Sequence, residues 1–441
     1  MLLLTHGFFL AEDAKEQKVM RPYPPLGILY LSAYLRRKGF EVEVYDSTFG
    51  SKQELFSILD RGAPSWLGVY GNLLTRANVL EIVERARAAG WRVVLGGPEP
   101  ANYAQEYLAA GAEFVVTGEG EGTLEHLLAG DPAPPGVLYR DPRGGIARTP
   151  PPAQIADLDS LPWPDRERID IGRYLAAWRE RHGAGSVSLI TARGCPFHCR
   201  WCSHSVYGKT HRRRSVAAVA DEAEWVLGRY NPEMLWYADD VFTIHTSWTL
   251  NYAAEMKRRH IRAPFECITR ADRFSPPVAA ALAEMGCLRV WIGSESGSQR
   301  ILDSMQRGVR VEQVQAAVNL AKSYGMEAGM FLMWGYEGEQ IEDVEATAAH
   351  VQACRPNVYL TTVSYPIKGT PYYEEVRDRL IPLGAWGSST DRDVRIRGRR
   401  GRRFYEHADD LLRLCLEEPQ NPIRMDAVRA ALKATSGQVE A

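Results

Sequence analysis

Arg193-Gly194-Cys195-Pro196-Phe197-His198-Cys199-Arg200-Trp201-Cys202 directly follows the apolar run Val187 to Ile190 and gathers three of the chain's seven cysteines in a C-x3-C-x2-C array. A cubane iron-sulfur cluster bound wholly by protein takes four thiolates, and only three are clustered here. The array therefore reads as a 4Fe-4S site at Cys195, Cys199 and Cys202 with one iron left open. An open metal position is where chemistry occurs, whereas a closed one holds the fold or carries electrons. The competing reading of the same residue types is a zinc site completed by His198 or His204. Structural zinc sites usually pair two ligands and then two more, while here one triplet encloses an aromatic, Trp201, in its last gap. Cys267, Cys287, Cys354 and Cys415 stand singly among apolar or helical neighbours and read as small core residues.

At 441 residues the chain exceeds what one hydrophobic core usually supports, so more than one domain is expected. The formal net charge of -2 argues against a general nucleic-acid binder held by phosphate contacts. No apolar run approaches the length of a membrane span. Met1-Leu2-Leu3-Leu4-Thr5-His6 lacks the basic region and long apolar stretch of a secretory signal. Unpaired thiols and an oxidation-sensitive cluster suit a reducing cytoplasm.

The first 130 residues alternate short apolar strands with amphipathic helices, the pattern of a doubly wound parallel sheet. Strands are expected at Leu2 to Thr5, Glu41 to Tyr45, Trp66 to Tyr70, Arg92 to Leu95 and Phe114 to Thr117, with helices at Leu26 to Lys38 and Arg76 to Ala89. In the second helix Val79, Ile82, Val83 and Ala86 recur at helical steps. Ligands of such sheets bind beyond the carboxyl ends of the strands. Those ends here are Gly71-Asn72, Gly96-Gly97-Pro98-Glu99 and Gly118-Glu119-Gly120-Glu121, three loops of bare backbone on one edge. Tight strand-to-helix turns explain any one of them; their recurrence favours a ligand.

Residues 131–185 form a proline-rich connector in which Val137 to Arg140 and Gly145 to Thr149 can pair as a hairpin. Residues 186–370 alternate strands and helices again. Six strands are expected: Val187 to Thr191, Met234 to Ala238, Phe265 to Thr269, Leu288 to Ile292, Ala328 to Met333 and Val358 to Val363. Their carboxyl ends are polar. Asp239-Asp240 can bind an amine or cap the next helix. Arg270 can grip a carboxylate at two points or form an ordinary ion pair. Gly293-Ser294-Glu295-Ser296-Gly297 permits close approach, with Glu295 and Ser296 offering polar contacts. Gly335-Tyr336-Glu337-Gly338-Glu339 follows the fifth strand. The C-terminal extension, residues 371–441, is expected to be mainly helical. It crowds Arg392, Arg395, Arg397, Arg399, Arg400, Arg402 and Arg403 before Phe404-Tyr405, a solvated charge run by default and otherwise a set of cations for an acidic substrate.

The cysteine spacing, with an aromatic before the last cysteine, resembles the signature of the radical S-adenosylmethionine enzymes. The resemblance implies a six-stranded partial (β/α) barrel, S-adenosylmethionine chelated to the open iron, and Trp201 near its adenine. It places Asp239 and Asp240 at the amino group, Glu295 and Ser296 in the ribose motif, and Gly335 in the stretch lining the adenine, which leaves Arg270 as the candidate grip for the carboxylate. Pro24-Pro25-Leu26-Gly27, Leu95-Gly96-Gly97-Pro98 and Thr117-Gly118-Glu119-Gly120-Glu121 resemble the cobalamin-binding domain of one large branch of that superfamily. Contacts to cobalamin are accordingly expected from Pro25, Leu26, Gly71, Asn72, Gly96, Gly97, Glu119, Gly120 and Glu121. One departure stands out: where many cobalamin domains carry Asp-x-His-x-x-Gly, this chain reads Asp46-Ser47-Thr48-Phe49-Gly50, with no histidine for the lower face of cobalt.

The resemblance implies a cobalamin-dependent C-methyltransferase acting on an unactivated carbon of a small-molecule substrate, supplied with electrons by an external low-potential donor. Relatives with the same two domains carry out oxidative cyclisation or ring contraction without methyl transfer, the second reading. A zinc-stapled binding protein is the third.

Overall fold

The computed structural model describes residues 1–440, which divide into two compact units. The first comprises Met1–Cys195, Ser203–Met234 and Gly384–Thr390; the second comprises Pro196–Cys202, Leu235–Leu383 and residues 391–440.

The first unit is built on a seven-stranded sheet of β1 (Leu2–His6), β2 (Val42–Val44), β3 (Trp66–Tyr70), β4 (Arg92–Gly96), β5 (Phe114–Val116), β6 (Val137–Arg140) and β7 (Ile146–Arg148), in the order β2-β1-β3-β4-β5-β6-β7. Strands β1 to β5 run parallel. The period of two sorts their side chains onto opposite faces. Leu3, Leu67, Val69, Val93, Leu95 and Val115 pack with Val79, Ile82, Val83 and Ala86 of the helix Arg76–Ala88. Leu2, Leu4, Val42, Val94, Phe114 and Val116 pack with Ile28 and Leu35 of the helix Leu26–Arg37. Each fully buried aliphatic side chain contributes about 1.5–3 kcal/mol. The strand order reverses between β1 and β3, so the loops after these strands flank a switch point. The hairpin β6-β7 is not a free connector: it adds two antiparallel strands to the edge at β5.

The second sheet is open and six-stranded, in the order β15-β14-β13-β12-β11-β8, from β8 (Ser186–Leu189) to β15 (Val358–Val363). At the start of β11 (Met234–Tyr237), the Met234 N–H donates to Gly185 O at 3.1 Å. In the second unit, β11 pairs in parallel with β12 (Phe265–Thr269), then β13 (Cys287–Glu295), β14 (Glu327–Trp334) and β15. Two of the departures from the expected strand boundaries bear on the site. β8 ends at Leu189, and Ala192–Arg193 form a separate short strand, β9, paired with β10 (Arg212–Arg213). β13 continues past Ile292 to Glu295 because β14 holds Gly293 and Glu295 in register across a bulge. The extension adds the hairpin of β16 (Leu380–Pro382) and β17 (Val394–Ile396) and the helices Arg402–Glu417 and Pro422–Thr435. Among the described residues no helix is long and apolar enough to cross a membrane.

Candidate active site

The loop that carries the cysteines rises from the β9-β10 stem. Gly194, at φ +84°, closes that stem: a Cβ there would stand 2.2 Å from Thr210 O, so only glycine fits. Cys199 is buried, and Cys195 and Cys202 are partly exposed. The Cys202 N–H donates to Cys199 O at 3.2 Å, Arg200 N–H to Met305 O at 3.0 Å, and Tyr372 N–H to Arg200 O at 2.9 Å. Trp201 packs on Ile301, Met305, Met333 and Tyr336, yet its buried indole N–H has no hydrogen-bond partner. The Arg270 guanidinium lies 3.6 Å from the centre of the Phe197 ring.

Around this loop the strand ends assemble charge. Asp239, after β11, is buried, and Asp240 beside it keeps its edge in solvent while the surrounding chain crowds its carboxyl. Loss of water to the surrounding chain, and secondly the charge of Asp239, raise the Asp240 carboxyl above its ordinary range. Arg270 is 1 % exposed; it donates to Asp272 Oδ1 at 2.9 Å and to Arg307 O at 2.9 Å, while its second terminal nitrogen, Nη1, is buried without a partner. Burial and then the neighbouring Arg307 cation depress its pKa. Glu295 sits in the left-handed region at φ +62°, an unusual conformation for a side-chain-bearing residue and one that clusters at functional sites. Burial raises its pKa against the pull of Arg307 and Arg270. Although Arg270 is paired with Asp272 and Arg307 with Glu295, Arg270 Nη1 and the Trp201 indole N–H remain buried donors without an acceptor beside the cysteine loop. A carboxylate-bearing ligand and an electron-rich iron-sulfur cluster fit that donor set.

The remaining predicted contacts of this half are turned elsewhere. Ser296 Oγ is hydrogen-bonded to Thr347 Oγ1 at 3.1 Å and accepts from Ser298 N–H at 3.1 Å, on the side of the helix Ile341–Cys354. Gly335, at φ +68°, donates its N–H to Glu339 Oε2 at 2.8 Å, and a Cβ there would meet Tyr405 Oη at 2.8 Å. The arginines of the extension brace the same loops: Arg399 donates to Ser364 O at 2.6 Å, and Arg400 to Glu339 O and to Gln340 Oε1.

In the first unit the glycine edge divides into two kinds of position. Gly97, at φ +106°, closes against the backbone, since a Cβ would stand 2.3 Å from Gly71 O; the Gly71 N–H in turn donates to Gly96 O at 2.8 Å. At Gly96 a Cβ would meet nothing within 4 Å. That bare backbone, one strand from the switch point, leaves room for a ligand to approach closely. Asn72 folds its side chain onto Leu74 N–H at 2.9 Å, forming the turn after β3. Pro25 caps the helix Leu26–Arg37, Leu26 is buried with Leu29 and Tyr30, and Gly120 opens the helix Gly120–Leu128 against Leu31. Glu119 and Glu121 hold arginines. Arg193 donates to Glu119 Oε1 and to Glu121 Oε1, each at 2.6 Å, and Arg212 donates to Glu119 Oε2 at 2.6 Å. Both carboxylates therefore clamp the stem of the cysteine loop. Asp46 accepts from His6 Nε2 at 3.0 Å, Thr48 N–H at 3.0 Å and Tyr174 O–H at 2.7 Å. His6 Nδ1 also accepts from Phe8 N–H at 3.2 Å, so both ring nitrogens are engaged within the fold.

Sequence reasoning missed Arg307, Thr347, His350 and the arginines of the stem. His350 bonds Ser294 Oγ at 3.1 Å, and burial lowers its pKa to about 4, leaving it neutral. A glycine follows Arg307 and another follows Arg193, the only local signals either carried.

Two family models match the chain: the radical SAM superfamily over residues 189–351 and the B12 binding domain over residues 17–128. An uncharacterized methyltransferase of Pyrococcus horikoshii is 28% identical over 401 residues, covering 87% of this chain and 85% of its own. An anaerobic magnesium-protoporphyrin IX monomethyl ester cyclase of Rubrivivax gelatinosus is 23% identical over 378 residues, covering 81% of this chain and 67% of its own. Among solved structures, a radical S-adenosylmethionine methyltransferase from Kitasatospora setae with cobalamin and a 4Fe-4S cluster bound has the same fold, with a TM-score of 0.71 at 21% identity over 89% of this chain and 80% of that one. The two matched segments fall on the glycine-edged sheet and on the sheet that follows the cysteine loop, and the chain carries a B12 binding domain and a radical SAM domain, whose cofactors are a 4Fe-4S cluster, S-adenosylmethionine and cobalamin.

Proposed function

We propose that the enzyme transfers a methyl group to an unactivated carbon of a small-molecule substrate. The observation that carries this reading is the presence in one chain of a cobalamin domain and a radical S-adenosylmethionine domain, supported by relatives that bear methyltransferase names. When bound, the three cofactors supply a reductively generated 5'-deoxyadenosyl radical and a methyl donor. The chain's own residues bind and align them. Cys195, Cys199 and Cys202 are the iron ligands. Arg270, with its unpartnered Nη1, receives the carboxylate of S-adenosylmethionine, Asp239 and Asp240 its amino group, and Glu295 its ribose. Trp201 lines the adenine. The backbone at Gly96 and the turn at Gly71-Asn72 take cobalamin, while Glu119 and Glu121 act on the protein side by fixing the cysteine loop. Such positioning supplies several kcal/mol of the barrier reduction by pre-ordering the reactants. A low-potential external donor provides the electron.

The test is anaerobic reconstitution with iron, sulfide and hydroxocobalamin, then incubation of a metabolite extract with methyl-deuterated S-adenosylmethionine and reductant. The expected result is 5'-deoxyadenosine together with a product carrying a deuterated C-methyl group, and loss of both in the Cys199→Ala enzyme. Formation of 5'-deoxyadenosine with a product that has only lost hydrogens would transfer the assignment to the cyclase class, to which the Rubrivivax gelatinosus relative belongs. Zinc in place of iron would overturn the radical reading.

A further inference from the structure

The turn after the helix Gln299–Ser304 meets the cysteine loop and its surroundings at several points. Met305 O accepts the Arg200 N–H at 3.0 Å, Arg307 Nη1 lies 3.7 Å from Cys199 Sγ, and Arg307 O accepts from Arg270 Nη2 at 2.9 Å. Positive φ at Gln306 (+52°) and Gly308 (+64°) bends the chain tightly on either side of Arg307 and aims its side chain inward. The guanidinium is almost wholly buried; Nη2 donates to Gly293 O at 3.1 Å, and Nε stands 3.5 Å from Glu295 Oε1. The three nitrogens of the fork thus engage three different groups, one on a cysteine sulfur, one on the β13 backbone and one beside the Glu295 carboxylate.

We infer that Arg307 is a positioning residue that donates an N–H to the Cys199 thiolate and thereby sets the reduction potential of the iron-sulfur cluster. The inference rests on Cys199 being a cluster ligand. One-electron reduction adds negative charge to a cluster already held by thiolates. Hydrogen bonds to the sulfurs are among the levers that set the potential of such clusters, and a cation in a buried site is weakly screened. Arg307 therefore favours the reduced state, and removing it moves the potential down. Because the same guanidinium faces Glu295, a residue placed at S-adenosylmethionine, it also joins the cluster to the cofactor that the electron will cleave.

The experiment is an EPR-monitored redox titration of reconstituted enzyme without S-adenosylmethionine, in wild type, Arg307→Gln and Arg307→Lys, with iron and sulfide counted per chain. Arg307→Gln is expected to make reduction about tenfold less favourable, a downward shift of about 59 mV for a one-electron couple. Arg307→Lys, which keeps the charge and loses the fork, is expected to shift less in the same direction. A fully loaded Arg307→Gln enzyme with the wild-type potential would overturn the inference. If the glutamine variant loses its iron, the lysine variant decides, and failure of both to load would also overturn it by assigning Arg307 to assembly. Full iron retention in Cys199→Ala would instead refute the ligand assignment beneath it.

Discussion

At the residue scale, neighbouring glycines make opposite demands. A side chain at Gly97 collides with Gly71 O and needs φ +106°, whereas one at Gly96 enters open space. Gly97→Ala is therefore expected to lower stability by about 1–3 kcal/mol, the cost of a strained backbone. Gly96→Val is expected to keep its melting temperature within about 2 °C of wild type and to weaken hydroxocobalamin binding at least tenfold, a difference of about 1.4 kcal/mol. Spectrophotometric titration with hydroxocobalamin, paired with thermal melts, reads both; undiminished cobalamin affinity in Gly96→Val would count against a cradle at this strand end. The sequence announced the glycine edge but not this division, because only the packing of β3 against β4 decides which glycine has a neighbour. It likewise did not disclose the clamp, since Arg193 lies 74 residues from Glu119 and the contact exists only in the folded chain.

At the scale of elements, the loop closing β13 is held from behind by the helix Ile341–Cys354. Thr347 Oγ1 accepts from the Gly297 N–H at 2.9 Å, is hydrogen-bonded to Ser296 Oγ and donates to Asp343 O at 2.8 Å. Gly297 has no room for a side chain, as a Cβ would sit 2.6 Å from Ala346 O, the Thr347 Cα and the His350 Cβ. Thr347→Val keeps the shape and leaves a buried N–H and hydroxyl unsatisfied, a loss of about 1–3 kcal/mol. It is expected to lower the melting temperature by several degrees and to weaken S-adenosylmethionine binding severalfold in equilibrium dialysis; wild-type values for both would refute the bracing role. Strands and helices were legible here as apolar runs of period two and of helical spacing. The end of β13 was not, since Gly293, Ser294 and Glu295 have no strand preference of their own and are held by β14. Trp334 and Tyr336 belong to the core: Trp334 Nε1 donates to Asp409 Oδ1 at 2.7 Å, and Tyr336 stacks on Tyr372 with centroids 4.7 Å apart.

At the scale of the whole molecule, the succession of two sheets was readable from alternation alone, and the chemistry from motifs at their carboxyl ends. Long-range cations were the unreadable part. Arginines that looked like a solvated run include Arg399 and Arg400, which close on the loops after β15 and β14. Their neighbour Glu339 makes stability respond to pH. Burial, above all, raises its carboxyl from 4.5 to about 8, so the folded chain holds a proton there that the unfolded chain releases. A raised folded-state value adds stability that is complete below about pH 4.5 and declines as pH climbs to about 8, by up to about 1.4 kcal/mol per unit. Anaerobic melts of wild type are thus expected to fall in temperature between pH 5 and about 8 more steeply than those of Glu339→Gln; parallel profiles would refute this. The placing of the cysteines has a bearing on survival in air. Cys267, Cys287, Cys354 and Cys415 are buried, and burial holds Cys267, Cys354 and Cys415 in the unreactive thiol form. Among the described residues the cysteines that are not buried are Cys195 and Cys202, so attack on a thiol by an oxidant is directed to the loop whose stem the glutamate clamp keeps in shape. Mild thiol treatment with fresh iron and sulfide is therefore expected to restore an air-exposed enzyme without a refolding step.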